Sequence, residues 1–135
     1  MQTVLIADDW PLLRARLDEA LREKGYFTVA VDTAQEAVGL LRWMRVDLLL
    51  ARERLADLDG PTLAGLLRRR GHEELVIVLL AEGASATPGA GVDAATPRGL
   101  DAEPVVKLVR HLLRPVTCQF PPSAESGHPC ATSVA

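Results

Sequence analysis

Four short apolar runs punctuate the chain: VLIA at 4–7, YFTVAV at 26–31, DLLLA at 47–51 and LVIVLL at 75–80. Apart from a few polar or boundary residues they do not alternate, which is the pattern of strands buried on both faces. Between the first two, Leu13, Leu17, Ala20 and Leu21 recur at helical spacing with charged residues between them. Asp9 is placed to cap that helix, Pro11 fits its first turn, and Gly25 ends it. A second helix opens on a capping box, Thr33 with Glu36, and keeps Ala37, Val38, Leu41 and Met44 on one face. A third follows Asp59-Gly60-Pro61, turns Leu63, Leu66 and Leu67 inward, and closes on Arg68-Arg69-Arg70 before Gly71. Cations suit a helix C-terminus because the dipole is negative there.

A last helix spans about 101–114, capped by Asp101, with Val105, Val106, Leu108, Val109, Leu112 and Leu113 inward. Pro115 ends it. Residues 115–135 hold four prolines, Pro115 included, with little apolar periodicity, the composition of a disordered or loosely attached tail. Buried strands separated by amphipathic helices predict an α/β fold with a parallel, doubly wound sheet. The rhythm breaks between Ala81 and Asp101, where four glycines and two prolines fall. Pro88, Gly89 and Gly91 disfavour a helix interior, so the fourth helix is expected to be shortened or lost. Gly91 to Ala95 is then the expected fifth strand, and ligands belong at the C-terminal edge of the sheet. The domain boundaries read from this pattern are 1–114 for the domain and 115–135 for the tail.

Composition narrows the picture modestly. The chain has 135 residues, 15 basic against 18 acidic, a net charge of −3 and 48% hydrophobic residues. One domain of that size can bury roughly two-thirds of its unfolded surface, and near-neutrality gives no field that predicts nucleic-acid or membrane binding. The N-terminus MQTVLIADD has no basic segment and reaches acids at once, so it does not read as a secretory signal and the expected location is cytoplasmic. Cys118 and Cys130 lie late in the chain, and with His128 they make only three candidate metal ligands, without a C-x-x-C pair. All but two of the basic residues, Lys24 and Lys107, are arginine.

Three loops meet at the expected ligand edge. The first supplies Asp8 and Asp9, the third Arg52 and Glu53, the fourth Glu82. Adjacent carboxylates after a strand suit Mg²⁺, a hard cation that takes oxygen ligands; acids at a helix N-terminus are also favoured by the dipole alone.

The segment from Val4 to Leu63 resembles the receiver domain of bacterial two-component response regulators, and the likeness extends over about 3–114. It rests on the acidic pair, the Gly25-Tyr26 before the second strand, and the Asp59-Gly60-Pro61 segment after the third. The resemblance implies the flavodoxin-like fold and a signalling role. Receivers take a phosphoryl group from a histidine kinase onto an aspartate ending the third strand, with Mg²⁺ held by the acidic pair. On this chain the acidic pair is Asp8 and Asp9, but the phospho-acceptor position falls on Arg52. The hydroxyl position falls on Leu80, the switch aromatic on Ala95, and the lysine on Arg98, followed by Gly99 where the family has proline.

A guanidinium stays protonated and is a poor nucleophile, so Arg52 cannot do the aspartate's chemistry. It is expected either to pair with Asp8 or Asp9 in place of a metal, leaving Mg²⁺ weakly held or absent, or to project into solvent. Phosphorylation at another acid, Glu53 or Asp57, is an alternative. A nucleotide site at Gly89-x-Gly91 lacks the helix it would need, and Arg68-Arg69-Arg70 is the one hook for DNA. The expected function is a non-enzymatic, phosphorylation-independent protein-interaction or adaptor module. Its partner is a protein such as a histidine kinase or another regulator, or a second copy of the chain, and not nucleic acid or membrane. The last helix, with Lys107, Arg110 and Arg114 outward, and the loop from Gly83 to Gly91 form its candidate surface.

Overall fold

The computed structural model describes residues 2–82 and 91–113. Their elements are β1 (Thr3–Ala7), α1 (Pro11–Glu23), β2 (Phe27–Val31), α2 (Ala34–Leu41), β3 (Leu48–Arg52), α3 (Gly60–Arg69), β4 (Val76–Ala81), β5 (Ala94–Pro97) and α4 (Glu103–Leu112). The strands form one parallel sheet in the order β2-β1-β3-β4-β5. This is the doubly wound, flavodoxin-like arrangement that the uniformly apolar runs predict. Among the described residues there are four helices and none between β4 and β5, in line with a shortened or lost fourth helix. Most of the Gly83–Gly91 loop, Arg114 and the tail with Cys118, His128 and Cys130 lie outside the described residues.

Alternation along each strand feeds two cores. Leu5, Ala7, Leu49, Ala51, Ile77 and Leu79 face α2 and α3, meeting Ala37, Leu41, Leu63 and Leu67. Val4, Ile6, Leu48, Leu50, Val78 and Leu80 face α1 and α4, meeting Leu13, Leu17, Leu21, Val105 and Val109. Fully burying one such side chain is worth about 1.5–3 kcal/mol, so these two layers dominate stability and hold the strand ends in place.

Several local expectations are corrected. Asp9 does not cap α1: the N-cap is Trp10, which makes no side-chain capping bond, and Asp8 Oδ1 accepts the Trp10 N–H at 2.9 Å in a local turn ahead of the helix. The capping box at α2 is half formed. Thr33 Oγ1 accepts the Glu36 N–H at 3.1 Å, whereas Glu36 Oε1 accepts from Asp32 rather than Thr33. Helix α2 ends at Leu41, short of Met44, and Ala64 rather than Leu66 joins Leu63 and Leu67 in the core. The fifth strand is displaced from 91–95 to Ala94–Pro97 because pairing with β4 fixes it: Asp93 N–H donates to Ile77 O at 2.8 Å and Arg98 N–H to Ala81 O at 2.9 Å. Gly91 instead makes a turn at φ +87°, a conformation that favours glycine.

Arg68 does more than close α3. Its Nη1 donates to the carbonyls of His72 and Leu75, each at 2.6 Å, its Nε to Gly91 O at 3.0 Å, and its Nη2 to Asp93 at 2.9 Å. It ties the end of α3 to the approaches of β4 and β5, and only Arg69 and Arg70 stay exposed.

Candidate functional site

Parallel pairing sets the site. Ala7 and Ala51 are the last partners of β1 and β3, and Arg52 is level with Leu80 of β4. Asp8 and Asp9 therefore leave β1 beside Arg52, at the point where the strand order reverses. Gly60 closes the far side. A Cβ there would lie 2.5 Å from Leu79 Cδ2 and 3.0 Å from Arg52 O. The Gly60 N–H donates to Glu53 O at 2.8 Å, so this glycine brings the start of α3 against the end of β3.

Two arginines and three carboxylates fill the edge. Asp8 is fully buried, and Arg98 grips it with two parallel bonds, Nη2 to Oδ1 and Nε to Oδ2, both 2.8 Å. Such forked pairing is the strong form of a charge-assisted bond. The Arg98 guanidinium also lies 5.2 Å from the Trp10 ring centroid, within cation–π range. Arg52 Nη1 donates to both Asp9 oxygens, at 2.8 and 2.9 Å. The same guanidinium turns Nε and Nη2 to Glu82, the latter at 3.3 Å. Arg52 thus bridges the β1 and β4 loops. Hydrogen bonding to Glu82 raises the pKa of Arg52, and the same bond lowers that of Glu82. Bonding to Asp8 raises that of Arg98.

Of the two open expectations for Arg52, the structure has it paired, with Asp9 and not Asp8. The second pair, Arg98 with Asp8, and the Glu82 arm were missed. Each had a signal: an arginine where the resemblance places lysine, and a lone acid directly after β4. Leu80 is 1% exposed and packs toward α1 and α4, while Ala95 is half-buried against the opposite core. Glu53 Oε1 accepts the Glu82 N–H at 2.8 Å. Asp57 caps α2 from outside, accepting the N–H groups of Ala34 at 3.1 Å and Gln35 at 2.9 Å. Burial pushes its carboxyl up, but these backbone bonds outweigh it and hold the pKa below the ordinary value.

Mg²⁺ demands near-octahedral oxygen ligands with free lone pairs. Here both Asp8 oxygens are committed to Arg98, both Asp9 oxygens to Arg52, and a cation stands at the end of β3. As arranged, this donor set does not fit a divalent ion.

The pattern of the response regulator receiver domain matches residues 4–97. The chain belongs to that family. The receiver is 32% identical over 82 residues to the transcriptional regulatory protein PcoR of Escherichia coli, a match covering 61% of this chain and 36% of that protein. The aligned part is thus about a third of this curated relative. Solved structures agree on the fold. The response regulator TrrA of Thermotoga maritima, in complex with Mg²⁺ and BeF, superposes with a TM-score of 0.75 at 23% identity, over 84% of this chain and 100% of that one. A two-component response regulator from Clostridium difficile gives 0.74 at 25% identity, over 84% and 97%. TrrA bound to the histidine kinase ThkA gives 0.74 at 23%, over 84% and 99%. No helix among the described residues is long and apolar enough to cross a membrane.

Proposed function

We propose that this receiver is a pseudo-receiver: a non-enzymatic, phosphorylation-independent interaction or adaptor module of two-component signalling, with Arg52 in the phospho-acceptor place. The observation that carries it is the bridge from Arg52 to Asp9 and Glu82, alongside the Arg98 fork on Asp8. A unit charge ~4 Å from another interacts by about 4 kcal/mol at an effective dielectric near 20. Two built-in cations therefore compete strongly with a loosely held divalent ion, and the module works without Mg²⁺.

Two alternatives lose support from particular bonds. Glu53 and Asp57 are both engaged with backbone N–H groups, and Asp57 stabilises the start of α2. Of the three arginines that offer a hook for DNA, Arg68 spends its donors on backbone carbonyls and Asp93. The partner on this reading is a cytoplasmic protein of the same signalling system, a histidine kinase or another regulator, or a second copy. Residues 1–114 form the module and 115–135 its tail.

Affinity purification from the native host tests this, using wild type and Arg52→Asp, each with and without acetyl phosphate. Recovery of one partner by wild type, in equal amount with and without acetyl phosphate, is the expected result. Recovery by wild type only after acetyl phosphate treatment would overturn the proposal.

A further inference from the structure

Helices α2 and α3 lie side by side on one face of the sheet, and a groove of about 560 Å³ runs between them. Its floor is apolar, built from the half-buried Val38, Leu58 and Leu66. Because the strands are parallel, both helices run the same way, and their C-terminal residues Arg42 and Arg70 stand at one end of the groove. Both arginines are exposed, and neither forms an ion pair with another described residue. Helix dipoles favour arginine there but leave its outward donors free.

Two further residues point to an occupant. Gly39 sits inside α2 on the groove wall, at a cost of about 1 kcal/mol relative to alanine. Nothing in the fold requires glycine there: a Cβ would meet no atom within 4 Å, and its φ is not positive. Its effect is to keep the groove open. Trp43, next to Arg42 in the chain but outside the groove lining, is 75% exposed, more than any other large hydrophobic residue described. Tryptophan and arginine are the residues most enriched where partners bind.

We propose that the α2–α3 groove docks an acidic amphipathic segment of a partner protein. Its apolar side chains would lie on Val38, Leu58 and Leu66, and its carboxylates would meet Arg42 and Arg70. A groove between two helices is a common seat for such a segment, and its volume lies in the range of specific ligand sites. Charge favours a peptide over nucleic acid: the groove offers two arginines at one end and Asp57 at the other, on a chain of net charge −3. This inference rests on the interaction half of the proposed function only.

The test is a phage-displayed peptide library panned against the whole chain, without Mg²⁺ or acetyl phosphate. Enriched sequences are then synthesised with fluorescein, and their Kd is read by anisotropy. The expected peptides combine Asp or Glu with large apolar residues. Gly39→Glu, which fills open space without a clash, and Arg42→Glu should each weaken them at least tenfold while circular dichroism and a cooperative melt show the chain still folded, with only the small shifts in melting temperature that helix propensity at 39 and the dipole at 42 dictate. No enrichment, peptides lacking acids, affinities indifferent to both substitutions, or binding of a duplex DNA probe in place of peptides would overturn the proposal. Phosphoryl acceptance is read separately by mass, so a failed groove leaves the pseudo-receiver reading standing, and the converse also holds.

Discussion

Replacing Arg98 by methionine isolates the buried half of the site. Asp8 has no exposed surface, and its two oxygens are held by the Arg98 fork and the Trp10 N–H. Arg98→Met leaves a buried carboxylate without its cation, a change that costs about 3–5 kcal/mol in fully enclosed pairs. The Arg98 side chain is 15% exposed, so water can enter the vacated space and the lower end, about 3 kcal/mol, is expected. The lost contact with the Trp10 ring is included in that figure. For a domain of this size the melting temperature should fall by roughly 10 °C. Urea unfolding followed by tryptophan fluorescence measures it, with the slope on denaturant unchanged. The penalty comes mainly from the orphaned charge rather than from the lost attraction. Adding Asp8→Asn to Arg98→Met should therefore recover stability, because the amide oxygen still accepts from Trp10 and no buried charge remains. A loss below about 1 kcal/mol for Arg98→Met, or a double variant less stable than the single one, would refute the reasoning.

Other consequences follow from single contacts. Arg68→Ala removes bonds to four backbone carbonyls and Asp93, and should lower urea stability by about 2–3 kcal/mol. Gly60→Ala forces a methyl against Leu79 and the Arg52 carbonyl, and should cost about 1–3 kcal/mol in the same assay. Glu82, Asp57 and Asp59 all have lowered pKa values in the fold, by bonding to Arg52, to backbone N–H groups and to Thr62 respectively. Their stabilisation is present above the ordinary carboxylate values of 4.5 for Glu and 3.8 for Asp, and is lost as pH falls through the folded ones. Arg52→Gln should remove the Glu82 share of that acid-side decline in a pH series of urea melts and leave the Asp57 and Asp59 shares. At neutral pH it should cost under about 1 kcal/mol, since Arg52 and Asp9 are both solvent-accessible.

The strands with strong apolar character could be read directly, because LLLA and VIVLL suit the inside of a sheet covered by helices on both faces. β5 could not. Its residues, AATP, have little strand character of their own, and only the ladder to Val78–Ala81 decides where the edge strand lies. Pro97 is tolerated because an edge strand has one side free of partners. Caps were misassigned for a similar reason. Asp8 and Asp9 read alike in sequence as caps, but both are taken by arginines, Arg98 from the end of β5 and Arg52 from the end of β3, and α1 starts without a side-chain cap. The Arg52–Asp9 contact was partly legible, since neighbouring parallel strands place their ends together. The Arg98–Asp8 contact joins residues ninety positions apart, from strands that are not neighbours in the sheet. No local pattern carries that.

Whether Arg52 has taken the site out of phosphoryl chemistry is decided by intact mass. The whole chain is incubated with acetyl phosphate and Mg²⁺ at neutral pH, beside a receiver that retains its acceptor aspartate. The control should gain the mass of one phosphoryl group while this chain stays at its unmodified mass. A phosphorylated species of this chain, removed by substituting Glu53, Asp57 or either member of the acidic pair, would contradict the pseudo-receiver reading.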